Sequence, residues 1–153
     1  MSGLVFTGFN PAHDDIVRMR LEMSNLPTAD LSEPDRLFFR LSDDDGLIGY
    51  IGLEGAGPDR LLRSLVVMNG RRGQGYGRQL VDRLELRARD GGIERLHLLT
   101  TTAAPFFHVL GYAITNRASA PAPIAASAEF ATLCPANATY MTKGLVDAAA
   151  RPS

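Results

Sequence analysis

The chain has 153 residues, of which 45% are hydrophobic and 22% charged, and its formal net charge is −1. This length suits one domain, which we place at residues 1–146 with a frayed tail at 147–153. The charge balance argues against nucleic-acid binding, and the single cysteine excludes an internal disulfide. We find neither a membrane-spanning apolar run nor a signal-peptide pattern, and therefore expect a cytoplasmic protein without a membrane partner.

The N-terminal third of the chain predicts three strands and one helix. The first strand is Leu4–Phe9, and a helix begins near Pro11. Strands Arg36–Ser42 and Leu47–Glu54 follow, joined by a hairpin turn at residues 43–46. We interpret the three aspartates of this turn as a solvated tip and not as a metal site.

A strand, a glycine-rich basic loop and an amphipathic helix come next. The strand is Leu61–Val67, the loop is Arg71–Gly77, and the helix extends to Asp90. Such a loop lets the backbone approach an anion, and the free N–H groups of the helix point at it. The glycine spacing matches neither the P-loop nor G-x-G-x-x-G. The sequence therefore predicts a different phosphate-binding loop, with a purely structural left-handed turn as the alternative.

The C-terminal part predicts three more strands and two helices. The strands are Glu94–Thr102, Tyr112–Arg117 and Thr139–Leu145. A short helix covers Ala103–Leu110, and an additional helix covers Ala122–Leu133.

Two motifs carry a resemblance to a known family. The first is Arg72-x-x-Gly75-x-Gly77 behind its apolar strand, and the second is the stretch 106–112, Phe-Phe-His-Val-Leu-Gly-Tyr. Together they resemble the GCN5-related N-acetyltransferases (GNAT). The resemblance implies an α/β (α+β) fold with a mixed, mostly antiparallel seven-stranded sheet flanked by helices. In this arrangement the additional helix predicted at Ala122–Leu133 would lie between strands 6 and 7. It also implies acetyl-CoA as co-substrate, no metal, and direct attack of a primary amine on the acetyl thioester.

A narrower resemblance rests on residues 26–31, 52–54, 62–65, 99–102 and 129–135. These stretches are similar to small acetyltransferases associated with bacterial arsenic-resistance operons. This resemblance implies that the acceptor is an amino acid or an acidic analogue. It also implies a role in resistance to arsenic or to another toxic metabolite, but it does not identify the substrate.

The resemblance also implies which residues hold the co-substrate. In this fold the central strand pairs with the pantetheine arm, and its backbone N–H groups near Leu65 are suited to stabilise the oxyanion. The implied cofactor-binding residues are Leu65, Val66, Val67, Arg72, Gly73, Gln74, Gly75, Tyr76, Gly77, Arg78, Phe106 and Phe107.

The chain departs from the family pattern at two positions. Phe107 stands where many relatives have a tyrosine that protonates the departing thiolate, and Thr100 to Thr102 stand where an asparagine is common. A thiol with a pKa of about 8.5 leaves tolerably as the thiolate. The Thr100 hydroxyl or an ordered water could replace the missing acid.

The candidate residues for proton transfer and substrate binding have alternative interpretations. Glu54 is the first choice of general base and Glu129 the second, and either could instead be a solvated carboxylate. Arg63, inside an apolar strand, requires a partner. That partner is either a protein carboxylate, with Glu54 among the candidates, or the acidic group of a substrate. Arg117 has the same two alternatives. Thr28 is a further candidate for the acceptor site.

Three functions remain open. The leading one is a small-molecule N-acetyltransferase, because the additional helix should narrow the acceptor site. The others are a non-catalytic acetyl-CoA-binding sensor and a protein acetyltransferase. A homodimer is left open, and a small amine is the expected partner besides acetyl-CoA.

Overall fold

The computed structural model describes residues 3–9, 19, 21–23, 36–127, 130 and 138–145. Its strands are β1 (Val5–Phe9), β2 (Arg36–Asp43), β3 (Gly46–Glu54), β4 (Asp59–Val67), β5 (Arg95–Thr100), β6 (Ala113–Ile114) and β7 (Thr139–Gly144). Its helices include α1 (Tyr76–Asp90), α2 (Ala104–Val109) and α3 (Ala122–Ala125), with 3₁₀ turns at Asn69–Arg71 and Arg117–Ser119. Residues 19 and 21–23 are also helical.

The strands form a seven-stranded mixed sheet in the order β1-β2-β3-β4-β5-β7-β6. The β4–β5 pairing is parallel, whereas β1–β2, β2–β3, β5–β7 and β6–β7 are antiparallel. The predicted fold class, a mixed and mostly antiparallel sheet with flanking helices, is confirmed.

The chain divides into two compact units. The first comprises residues 1–54 and 62–84, and its core cluster contains Leu21, Phe38, Tyr50 and Val66. Gly49 of β3 lies against the Val66 carbonyl, and a Cβ at that position would collide with this oxygen. The absence of a side chain therefore permits the close approach of β3 and β4.

The second unit comprises residues 55–61 and 85–153. Residues 59–61 of β4 pair with residues 95–97 of β5, and β5 pairs with β7 along its whole length. The buried carboxylate of Glu85 accepts a hydrogen bond from the Tyr112 hydroxyl at 3.0 Å and others from the Lys143 ammonium at 2.9 and 3.1 Å. These bonds tie α1 to the chain around β6 and to β7.

Two predicted elements are shorter than expected. β6 contains two residues and not the six of Tyr112–Arg117, because the Tyr112 N–H donates to the Phe107 carbonyl at the end of α2, at 3.0 Å. Arg117 begins a 3₁₀ turn, where the Asn116 side chain accepts from the backbone N–H of Ala118 at 2.9 Å. α3 ends at Ala125 and a turn follows at residues 126–127, so the helix predicted over Ala122–Leu133 is interrupted there. Of its remaining residues the structure describes Phe130, which is helical. The predicted helix start near Pro11 and the tail at 147–153 lie outside the described residues.

Candidate active site

The second half of β4 carries an irregularity in its backbone. Ser64 is buried and has a φ of +60°, in the left-handed region that non-glycine residues rarely adopt. A residue in this conformation interrupts the alternation of side chains along a strand. Strict alternation would place Arg63, Leu65 and Val67 on one face of β4, but it does not continue through Ser64. Leu65 and Val67 are partly exposed, and Val66 is buried.

The glycine loop between β4 and α1 is open above its backbone. Gly73 and Gly75 have φ values of +80° and +81°, and a Cβ built on either would meet no atom within 4 Å. The first turn of α1 contains no acidic residue, and the N–H of Gln79 bonds to the Gly75 carbonyl at 3.2 Å. The N–H groups of residues 76–78 precede the helical hydrogen-bond ladder, as at any helix start. The loop therefore fits a phosphate group, which needs open space and backbone donors.

Two arginines anchor this loop in different ways. The Nε of Arg72, the motif arginine, donates to the Val67 carbonyl at 3.1 Å. The guanidinium of Arg71 donates through both Nη atoms to the two carboxylate oxygens of Asp43, each at 2.8 Å. Arg78 is exposed and lies 3.8 Å from Asp82, one helical turn ahead.

The interpretation of the β2–β3 turn as a solvated tip is wrong for Asp43. Its side chain is 5% exposed because Arg71 covers it. The hydrogen bond from Arg71 lowers the pKa of Asp43 despite the opposing effect of desolvation, and the same bond raises the pKa of Arg71. Sequence analysis did not pair them because Asp43 and Arg71 are 28 positions apart.

Glu54 and Arg63 are paired inside the first unit. The Arg63 Nη1 atom lies 3.0 Å from Glu54 Oε1, with 0% of the Arg63 side chain and 4% of the Glu54 side chain exposed. The Arg36 Nε lies 3.5 Å from the same carboxylate oxygen. Arg63 also donates to the Ser64 hydroxyl at 3.3 Å and faces the Phe38 ring at 5.8 Å. The protein carboxylate considered as the partner of Arg63 is therefore that of Glu54.

The second unit contains Phe107 and Thr100, which the resemblance relates to the departing thiolate. Phe107 is 5% exposed and packs edge-on against Phe106 at 5.0 Å and Tyr112 at 5.5 Å. The Thr100 hydroxyl accepts a hydrogen bond from the backbone N–H of Ala103 at 2.9 Å, which fixes the entry into α2.

Comparisons with known proteins place this geometry in a family. The profile of the acetyltransferase (GNAT) domain matches residues 34–114, which is more than half of the chain. The chain belongs to the GNAT acetyltransferase family. The match contains β2 to β6, the glycine loop and both sequence motifs. The predicted enzyme class is therefore confirmed.

Solved structures show the same fold at low sequence identity. A GNAT-family acetyltransferase from Staphylococcus aureus Mu50 has a TM-score of 0.73 at 15% identity, with 94% of this chain and 100% of that chain covered. An aminoglycoside 6′-N-acetyltransferase complexed with coenzyme A has a TM-score of 0.67 at 19% identity, with 97% and 99% covered.

N-acetylglutamate synthase from Neisseria gonorrhoeae, complexed with coenzyme A and N-acetyl-glutamate, has a TM-score of 0.71 at 20% identity. The match covers 94% of this chain but 36% of that enzyme, so this chain corresponds to about a third of its length. Both named complexes contain coenzyme A, the cofactor class that the sequence predicts for this GNAT domain.

Of the remaining predicted substrate residues of this GNAT acetyltransferase, the structure describes Arg117. Arg117 donates to the carbonyls of Phe130 and Ala138 at 3.1 and 3.2 Å, and its guanidinium lies 4.8 Å from the Phe130 ring centre. Thr28 and Glu129 lie outside the described residues. These contacts hold the Arg117 side chain against Phe130 and Ala138.

Sequence analysis missed a buried hydrogen-bonded chain in the second unit. The neutral His97 ring accepts from the Tyr140 hydroxyl at 2.6 Å through Nδ1 and donates to Asp59 at 2.7 Å through Nε2, which is the tautomer that satisfies both contacts. Burial lowers the pKa of His97 despite the neighbouring Asp59 carboxylate. Asp59 and Tyr140 lie 38 and 43 positions from His97, so no local sequence signal could have identified the group.

The described residues contain neither a group of metal ligands nor a helix that could span a membrane. Within those ranges, no three His, Cys, Asp or Glu side chains are grouped so that they could hold a metal ion. Similarly, none of the helices in the described part of the chain has the length and hydrophobicity that crossing a membrane requires.

Proposed function

We propose that this protein transfers the acetyl group of acetyl-CoA to the primary amine of a small molecule. The observation that carries the proposal is the glycine loop, where Gly73 and Gly75 leave the space above the backbone open at the start of a 15-residue helix. Membership of the GNAT family supplies the reaction class.

In the proposed reaction the first N–H groups of α1 bind the pyrophosphate, with Arg72 and Arg78 as the nearby cations. The acetyl thioester supplies the electrophilic carbon. Backbone N–H groups of β4 from Leu65 onwards stabilise the oxyanion that forms when the amine attacks. Loss of the amine proton and departure of the coenzyme A thiolate complete the transfer.

Glu54 is the proposed acceptor of the amine proton, directly or through a water. It ends β3, and its ion pair with Arg63 fixes the position of the carboxylate. Phe107 has no proton to donate, so the thiolate leaves without the tyrosine acid of many relatives, or with help from the Thr100 hydroxyl.

For the acceptor we propose an amino acid or an acidic analogue of one. The proposal rests on the family resemblance, since the buried Arg63 guanidinium is already paired with the Glu54 carboxylate at 3.0 Å. The resemblance to acetyltransferases of arsenic-resistance operons extends the proposal to glutamate-like amino acids with an arsenic or phosphorus oxyanion. We also propose that the protein functions in the cytoplasm.

The test is a coupled assay of coenzyme A release with acetyl-CoA and a panel of amines. The panel contains neutral and acidic amino acids, phosphorus and arsenic analogues, aminoglycosides and a lysine-containing peptide. We expect turnover with small acidic amines. Coenzyme A binding without turnover of any amine would instead indicate a sensor domain, which the buried, hydroxyl-free Phe107 favours. Turnover of the peptide alone would indicate a protein acetyltransferase.

Arg63→Lys addresses the substrate class. Lysine keeps the charge but cannot make the bidentate contact, so a substrate role predicts a higher KM for an acidic amine and an unchanged KM for a neutral one. Equal effects on both would assign Arg63 to its pairing with Glu54 alone.

A further inference from the structure

The segment before the two open glycines is attached to the sheet at both of its ends. The backbone N–H of Met68 donates to the Ile48 carbonyl of β3 at 2.8 Å. Three residues later, the side chain of Arg71 is held by Asp43 through two hydrogen bonds of 2.8 Å. Between them runs the 3₁₀ turn, in which the N–H of Arg71 donates to the Met68 carbonyl at 2.9 Å.

Asp43 is itself held in place by the hairpin. It is the last residue of β2, and its Oδ1 accepts the backbone N–H of Asp45 at 2.9 Å. The carboxylate is therefore oriented before it meets Arg71. A bidentate guanidinium–carboxylate pair fixes direction as well as distance. The side chains are 5% and 16% exposed, so water competes little for these bonds.

We infer that Asp43 is a positioning residue of the acetyltransferase: through Arg71 it holds the glycine loop in the conformation that accepts the phosphates of acetyl-CoA. This inference rests on the proposed function. It also gives the β2–β3 turn a role in co-substrate binding, although Asp43 is not itself a ligand.

The alternative role for Arg71 is direct contact with phosphate. Both Nη atoms are committed to Asp43, and this pairing balances the guanidinium charge. Arg72, next along the chain, is exposed and is the motif arginine. The two roles predict opposite effects of neutralising Asp43. Release of Arg71 would strengthen the binding of coenzyme A if Arg71 were a phosphate ligand, and would weaken it if Arg71 acts as an anchor.

The experiment measures coenzyme A binding by calorimetry and backbone amide exchange by mass spectrometry in the full chain. We expect Asp43→Asn to raise the Kd for coenzyme A about tenfold, because it removes a charge-assisted pair that restrains the loop. Exchange should become faster in residues 69–75 and stay unchanged in β3. Asp44→Asn is the matched control, since it makes the same change one residue later at an exposed position, and it should alter neither measurement.

A double-mutant cycle separates anchoring from general destabilisation. Arg71→Gln should weaken binding as much as Asp43→Asn, and the double variant should be no worse than either, because both remove the same contact. Arg71→Lys keeps the positive charge but cannot make the bidentate contact with Asp43. It replaces Asp43→Asn in the experiment if that variant does not fold.

An unchanged or lower Kd in a folded Asp43→Asn protein would overturn the inference. Faster exchange throughout β2 and β3 would overturn it too, because the pair would then stabilise the unit as a whole. A wild-type protein that binds no coenzyme A would instead overturn the proposed function.

Discussion

Gly75→Val tests the central element of the proposed site. At a φ of +81° any L-residue is strained, at a cost of about 1–2 kcal/mol of folding stability. A Cβ at this position meets no atom of the protein within 4 Å, so the first added carbon has room. The valine methyl groups would instead occupy the space proposed for the pyrophosphate. We therefore expect coenzyme A affinity to fall by well over tenfold, which is more than about 1.4 kcal/mol.

Gly57 provides a matched control in the turn between β3 and β4. Its φ is +80°, and a Cβ there would also meet nothing within 4 Å. Gly57→Val should therefore have the same backbone strain without touching the loop. For a chain of this size, about 1–2 kcal/mol corresponds to a fall in Tm of roughly 2–8 °C, which we expect for both variants.

Isothermal calorimetry with coenzyme A, run beside thermal unfolding of each variant, measures the two effects separately. Only Gly75→Val should lose affinity, while both variants lose similar stability. A folded Gly75→Val protein that binds coenzyme A like the wild type would refute the assignment of the loop. Equal losses of affinity at Gly57 and Gly75 would show that strain, and not occupation of the phosphate space, weakens binding.

Three further predictions concern the chemistry and the pH dependence. Glu54→Gln should lower kcat by about 10²-fold or more and leave the coenzyme A affinity unchanged. Wild-type turnover with an unaltered pH profile would show that another group or solvent accepts the amine proton. Phe107→Tyr should remain active in the coenzyme A release assay. A rise in kcat would show that an acid at this position still assists the departure of the thiolate. An inactive but folded variant would contradict the expectation. The pKa of His97 in the folded protein lies below its ordinary value of 6.5. As the pH falls, the unfolded chain therefore takes up the extra proton before the folded protein does. The free energy of unfolding should therefore fall as pH decreases below about 6.5. Urea titrations should show a weaker fall for the non-titrating His97→Gln variant, and equal slopes would exclude the histidine as the cause.

The local elements of the fold were predictable because their signals are local. The apolar residues of α1 recur at helical spacing, and Leu80, Val81, Leu84 and Ala88 are all buried as that period requires. The strands β2 to β5 lie where the sequence predicts them, with ends that differ by one or two residues. The turn chemistry of the glycine loop is also local, since left-handed backbone favours glycine wherever the chain is placed. The two motifs therefore sufficed to name the family.

The side-chain partners depended on strand order and register, which sequence spacing does not contain. Arg63 required a buried partner on desolvation grounds alone, so its pairing with Glu54 could be considered in advance. Nothing near Asp43 indicates Arg71, and nothing near His97 indicates Tyr140 and Asp59, because those contacts form only after distant segments are brought side by side in the sheet. The left-handed backbone of the buried Ser64 is likewise not indicated by the neighbouring sequence. Local periodicity and turn chemistry thus determine the elements and the cofactor loop, whereas desolvation and packing in the folded chain determine which charged groups meet.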